Sequence, residues 1–149
     1  MKQFHTITLT VFVKDGEDET AIREKLCALV PLDLAQEKLA VKRERATSAE
    51  HLPIIILSLT LEKEKHCAKF VAWLQQTLTA TQKQLLIDQA PTRLDQTLNF
   101  FIRFDKQRWL DRELQITDSG KCFHCKMGLA AYPAKWERGL QMVRELLQH

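Results

Sequence analysis

The chain has 149 residues, 45% of them hydrophobic and 28% charged, with a formal net charge of +3. That is one globular domain of ordinary composition, too apolar for a disordered polypeptide and far less basic than a histone-like protein. No run approaches the ~18–20 apolar residues of a membrane span, which excludes a helical membrane protein.

Two further features set expectations. The N-terminus lacks a basic region followed by an apolar run and a small-residue cleavage site, so no secretory leader is expected. Four cysteines are sparse for a disulfide scaffold and point to a reducing, cytoplasmic setting.

Taken in order, residues 3–14 predict a first strand. Ile7, Leu9, Val11 and Val13 share one parity, and Thr6, Thr8, Thr10 and Phe12 share the other. Asp15-Gly16 ends it, and the acidic run Glu17-Asp18-Glu19 opens a helix whose dipole it suits. Ile22, Leu26, Leu29 and Val30 form that helix's buried stripe, and Pro31 stops it. Residues 37–46 predict a second strand, with Leu39 and Val41 inward and a basic end of Lys42, Arg43 and Arg45. A loop over 47–53 leads to a third strand over 54–62, so the two are expected to pair as an antiparallel hairpin.

A helix follows over about 64–78, where Cys67, Phe70, Val71, Leu74 and Leu78 recur at helical spacing. Thr79 or Thr81 caps another that ends near Pro91. Residues 97–105 return to strand, with Leu98, Phe100, Ile102 and Phe104 inward and Asn99, Phe101 and Arg103 outward. A basic connection over 106–112 and a short strand near 114–117 lead to the turn Asp118-Ser119-Gly120. From Lys121 onward Phe123, Cys125, Met127 and Leu129 alternate with Cys122, His124, Lys126 and Gly128, another half-buried strand. Pro133 sits where a last helix should start, and Trp136, Leu140, Val143 and Leu147 form its stripe. The order β-α-β-β-α-α-β-β-β-α predicts a single α+β domain spanning 1–149, a mostly antiparallel sheet with helices packed on one face.

Catalytic chemistry finds little support. Cys122 and Cys125 form one Cys-x-x-Cys, but a regular strand points them to opposite faces, and a structural zinc needs four ligands. Ser119 lacks a nucleophile elbow, the histidines at 5, 51, 66, 124 and 149 have no partner by spacing, and four glycines leave no phosphate loop. Neither an enzyme, a metal nor a cofactor is expected.

Charge is unevenly placed. Residues 1–35 sum to −2, whereas 38–45 and 121–138 each sum to +3. If these segments converge, they neutralise phosphates. The candidates for backbone contact are Lys42, Arg43, Arg45, Arg103, Lys121, Lys126, Lys135 and Arg138, the last two near a helix N-terminus that itself attracts phosphate. Phe101, His124 and Tyr132 are candidates to stack or position bases. Phe101 and Phe12 serve equally as anchors of a homodimer or partner interface, in a protein with no intrinsic RNA binding.

The segments His5–Lys14 and Asn99–Lys106, and above all Asp118-Ser119-Gly120 with Ala131-Tyr132-Pro133-Ala134-Lys135, resemble an archaeal family described as RNA-binding proteins or predicted exosome subunits. The likeness covers nearly the whole chain. It implies the fold of the large-subunit ribosomal protein that binds 5S rRNA, a two-layer α+β sandwich, and supplies no catalytic set. It also implies structured or ribosomal RNA as partner, with exosome or ribosome-assembly proteins as further ones. Cys122 and Cys125 are not required by its motif.

Overall fold

A computed structural model describes residues 2–149. Its centre is β1 (Phe4–Lys14), the strand with the most regular alternation in the sequence. β1 pairs antiparallel with β3 (Pro53–Leu61) on one side and β5 (Cys122–Leu129) on the other. β2 (Lys42–Thr47) extends the sheet beyond β3, and β4 (Asn99–Asp105) extends it beyond β5. The order across the sheet is β2-β3-β1-β5-β4.

Period-two alternation gives the sheet two chemically different faces. Ile7, Leu9, Val11 and Val13 of β1 point to one of them, with Phe100, Ile102 and Phe104 of β4 and Phe123, Cys125 and Met127 of β5, and all are buried. Helices cover that face alone. α1 (Glu19–Ala28) lies on β1 and β3, α2 (Glu64–Thr77) on β1, and α3 (Ala80–Arg93) on β4, with α5 (Trp136–Leu147) against α3. Their buried stripes, such as Cys67, Phe70, Val71 and Leu74 of α2, complete one core.

Local chemistry fixes the helix starts. Asp18 accepts from Ala21 N at 3.1 Å, and Thr79 and Gln82 form a reciprocal capping box. Gly139 lets α5 approach closely, since a Cβ there would lie 2.8 Å from Leu98 Cδ2.

The expected α+β architecture and one-sided helix packing are present, with local differences. Residues 106–110 wind into a short helix, α4 (Lys106–Leu110), capped by the Asp105 side chain, which accepts from Arg108 N at 2.9 Å. The short strand expected at 114–117 reduces to a single bridge, Ile116 to Phe104, flanked by Asp105 N to Gln115 O and Thr117 N to Arg103 O. β2 begins at Lys42 rather than 37, because residues 33–39 close a turn in which Leu39 N donates to Leu34 O and Lys38 takes φ 58°. Leu39 and Val41 still pack on the core from that turn.

α3 runs through Pro91 to Arg93. The proline costs one ladder bond in the last turn while Leu94 N still reaches Ala90 O at 3.1 Å. Pro133 lies in the loop before α5 rather than in its first turn; the N-cap is Lys135.

Candidate nucleic-acid interface

The face of the sheet opposite the helices is uncovered. Strand register arranges its side chains in rungs. One rung runs Arg103, His124, Thr10, Ser58, Lys42 from β4 to β2. The next runs Phe101, Lys126, Thr8, Thr60. On the other side of the first, Asp105 pairs with Cys122, and Phe12, Ile56 and Glu44 align across β1, β3 and β2. The β4–β5 side of this face therefore gathers Phe101, Arg103, His124 and Lys126 within two adjacent rungs.

The Phe101 and His124 rings sit 5.4 Å apart between centroids at 41°, within the range of favourable aromatic pairs. His124 is half-buried. Burial, then the neighbouring Arg103 and Lys126 charges, hold its pKa below the ordinary imidazole value. At neutral pH it therefore presents an uncharged ring beside Phe101. Two clefts flank this pair. One, of about 550 Å³, lies between Thr8, Thr10, Phe12, Arg103, Cys122 and Lys126. The other, of about 500 Å³, lies over Phe101 and His124 and is walled by Arg93, Arg103 and Asp118.

Arg93 organises the second cleft. Its guanidinium bonds Gln89 Oε1 twice, at 2.9 and 2.7 Å, and donates to Phe101 O at 3.4 Å and Asp118 Oδ1 at 3.3 Å. Burial lowers its pKa from the ordinary arginine value, Asp118 opposes the shift and Arg103 adds to it. Arg103 donates to Asp118 O at 3.0 Å. The Asp118-Ser119-Gly120 turn is thus pinned to the sheet by two arginines, and the exposed Lys121 follows it at the mouth of β5. The α3 terminus hid Arg93 from the sequence reading, because a basic residue in a last helical turn fits the dipole and its acidic partner lies 25 positions away.

The remaining candidates do not join this cluster. Lys42 ends the first rung at the far edge, roughly 19 Å from Arg103 at ordinary strand spacing, and its ammonium lies 2.7 Å from Glu44. Arg43 and Arg45 take the opposite parity and point to the helix side of the edge strand. Arg43 is held by Glu19 at 2.8 and 3.2 Å, and Arg45 lines a cleft with Glu17 and Glu19. Tyr132, 85% exposed, and Arg138 line a further cleft near Lys2, Met142 and His149, with Lys135 at the start of α5. The basic segments form three separate groups rather than one patch.

Cysteine chemistry agrees with the alternation. Cys122 lies on the uncovered face and Cys125 in the core, so the two cannot share a ligand without remodelling β5. All four thiols are free, and burial raises each pKa, most strongly for Cys125. Among the described residues no group of three or more His, Cys, Asp or Glu side chains is placed to hold a metal ion. Nor is any described helix long and apolar enough to cross a membrane.

A single antiparallel sheet, roofed on one face and bare on the other, defines a two-layer α+β protein. Solved archaeal structures share that fold. A DUF54 protein of Methanothermobacter thermautotrophicus matches at a TM-score of 0.79 and 26% identity, covering 97% of this chain and 98% of its own. A DUF54 protein of Archaeoglobus fulgidus matches in fold at a TM-score of 0.87 and 24% identity, covering 96% and 99%.

The chain belongs to the family described as RNA binding, whose family model matches residues 6–129. It is also 25% identical over 146 residues to an RNA-binding protein of Pyrococcus abyssi, an alignment covering 98% of this chain and 95% of that protein.

Proposed function

We propose that this chain is a non-catalytic RNA-binding protein that holds RNA on the uncovered sheet face. The observation that carries the reading is the clustering of Phe101 and His124 with Arg103 and Lys126 in adjacent rungs. Aromatic rings offer stacking to unpaired bases, and the flanking cations neutralise phosphate. Lys121 stands at the end of the same strand. The Tyr132–Arg138 group, at the α5 end, offers a second contact for a longer RNA.

Fluorescence anisotropy against single-stranded and structured RNA over a salt series, with duplex DNA as control, tests this. Preference for RNA with affinity falling in salt supports the reading. Equal affinity for duplex DNA, or none at low salt, removes it.

The setting we propose is RNA processing or ribosome assembly in the cytoplasm, as an accessory of the exosome or of a precursor ribosome. The resemblance of the Asp118–Gly120 and Ala131–Lys135 segments supports it, and the four free thiols fit a reducing compartment. The same resemblance implies the fold of the 5S-rRNA-binding ribosomal protein, and a sheet with helices on one face supports that part of the reading. Density-gradient fractionation of a lysate tests the setting: the tagged chain should travel with one of those particles, and sedimentation only as a free protein argues against it.

A second reading is favoured by Phe12, which is 47% exposed beside Ile56 on the same face. Such a patch suits a homodimer. Sedimentation without RNA separates the two: a tight dimer lost in Phe12→Ser supports an interface there.

A further inference from the structure

We propose that the cleft over Phe101 and His124 is a subsite for one unpaired guanine base, read on its Watson–Crick edge by the Asp118 carboxylate. This deepens the RNA reading above and rests on it.

The cleft, of about 500 Å³, falls within the roughly 300–1,000 Å³ of small-ligand sites. Its floor is aromatic and uncharged, formed by Phe101 and the neutral His124 ring. Its wall carries the one feature that a plain phosphate site would not have. Asp118, 89% exposed at its side chain, places a carboxylate among Arg93, Arg103 and His124. A carboxylate repels phosphate, so this part of the face is built for something other than backbone.

The carboxylate is also held. Arg93 donates to its Oδ1 at 3.3 Å and to the Phe101 carbonyl at 3.4 Å, so one buried guanidinium fixes wall and floor relative to each other. Arg103 secures the same turn through Asp118 O. An ionised carboxylate accepts hydrogen bonds and donates none. Guanine alone among the four RNA bases presents two adjacent donors, N1–H and the N2 amino group, that a carboxylate can accept together. Adenine and cytosine each set one amino group beside a ring acceptor. Uracil flanks its single N–H with two carbonyls that the carboxylate repels. The free Arg103 N–H groups lie on the same cleft and suit the O6 acceptor of guanine.

The test uses labelled oligouridine carrying one central guanosine, adenosine or inosine, read by fluorescence anisotropy with the full chain. Guanosine should bind roughly tenfold tighter than adenosine, and inosine, which lacks the N2 amino group, should fall between them. Asp118→Asn should abolish the guanosine preference, because its amide turns one of the two acceptors into a donor facing guanine N1–H and N2, while its remaining oxygen can still accept from Arg93. Equal affinity for all three oligonucleotides, or a preference that survives Asp118→Asn, overturns the guanine subsite and leaves RNA binding intact. No binding to any of them overturns the RNA reading itself.

Discussion

Replacing Lys106 by Met tests whether a buried ammonium holds the edge of the uncovered sheet. Lys106 is 8% exposed, and its Nζ donates to Phe12 O at 2.6 Å and to Glu17 Oε1 at 2.8 Å. Glu17 also accepts from Lys14 N at 2.7 Å, so the three residues tie α4 to the end of β1 and its following turn. Hydrogen bonds to charged groups contribute about 1.5–3 kcal/mol each. The Glu17 contact is discounted to about 1 kcal/mol or less, because that carboxylate is a third exposed. Against these stands the desolvation of the ammonium, which Met escapes while keeping the apolar stem. The net expected loss is about 2 kcal/mol, read as a lower urea midpoint with an unchanged slope.

Burial pushes the Glu17 pKa up, but the bonds from Lys106 and Lys14 N outweigh it and hold the pKa below the ordinary glutamate value. A depressed folded pKa contributes stability above the unfolded value of 4.5 and loses it as pH falls through the folded one. Lys106→Met should therefore flatten the acid limb of stability below pH 4.5 as well as lower the plateau. A variant as stable as the parent at pH 7 would refute the reasoning, showing that the ammonium's burial costs as much as its two bonds return.

Other perturbations report on other parts of the account. Gly139→Ala gains about 1 kcal/mol of helix propensity, but must displace Leu98 Cδ2 from 2.8 Å. Overpacking costs typically about 1–3 kcal/mol, so a lower thermal midpoint is expected, while Gly120→Ala, with nothing within 4 Å, should leave it unchanged. Among the thiols, Cys122 and Cys27 are the partly exposed pair, and both have raised pKa values from burial. Alkylation should be slow at pH 7 and quicken with pH, and bound RNA should protect Cys122 and not Cys27. Protection of Cys27 alone would move the RNA to another face. Because burial, Arg103 and Lys126 lower the His124 pKa, acidification below 6.5 should add a positive charge to the face and tighten RNA binding. His124→Gln should remove that rise, and a rise that persists in the variant would assign it to another group.

Much of this was legible in the sequence. The parity of Thr6, Thr8, Thr10 and Phe12, of Phe101 and Arg103, and of Cys122, His124 and Lys126 already separated an inner face from an outer one. The same rule could have placed Arg43 and Arg45, since they share the parity of the inward Leu39 and Val41; as an edge strand, β2 points them past the core toward α1. Strand order was not legible, because the pairing of β1 with both β3 and β5 is set by long-range packing rather than by a turn signal. Nor was α4: five residues carry too little periodicity, and its cap is a strand-terminal aspartate. The Arg93–Asp118 contact joins a helix end to a turn on the far side of β4, a pairing that no local spacing encodes. The scatter of basic groups has the same origin, since charge runs in a sequence say nothing about which side of a sheet they reach.

The most direct measurement compares two double variants for binding to a single-stranded RNA across a salt series. Arg103→Gln with Lys126→Gln removes cations from the uncovered face, and Arg43→Gln with Arg45→Gln removes them from the helix side of β2. The account predicts weaker binding and a slope of log affinity against log salt shallower by about 0.7 per lost phosphate contact for the first pair, and near-parental behaviour for the second. Parental binding by the first pair, or equal losses from both, would contradict the assignment of RNA to the uncovered sheet.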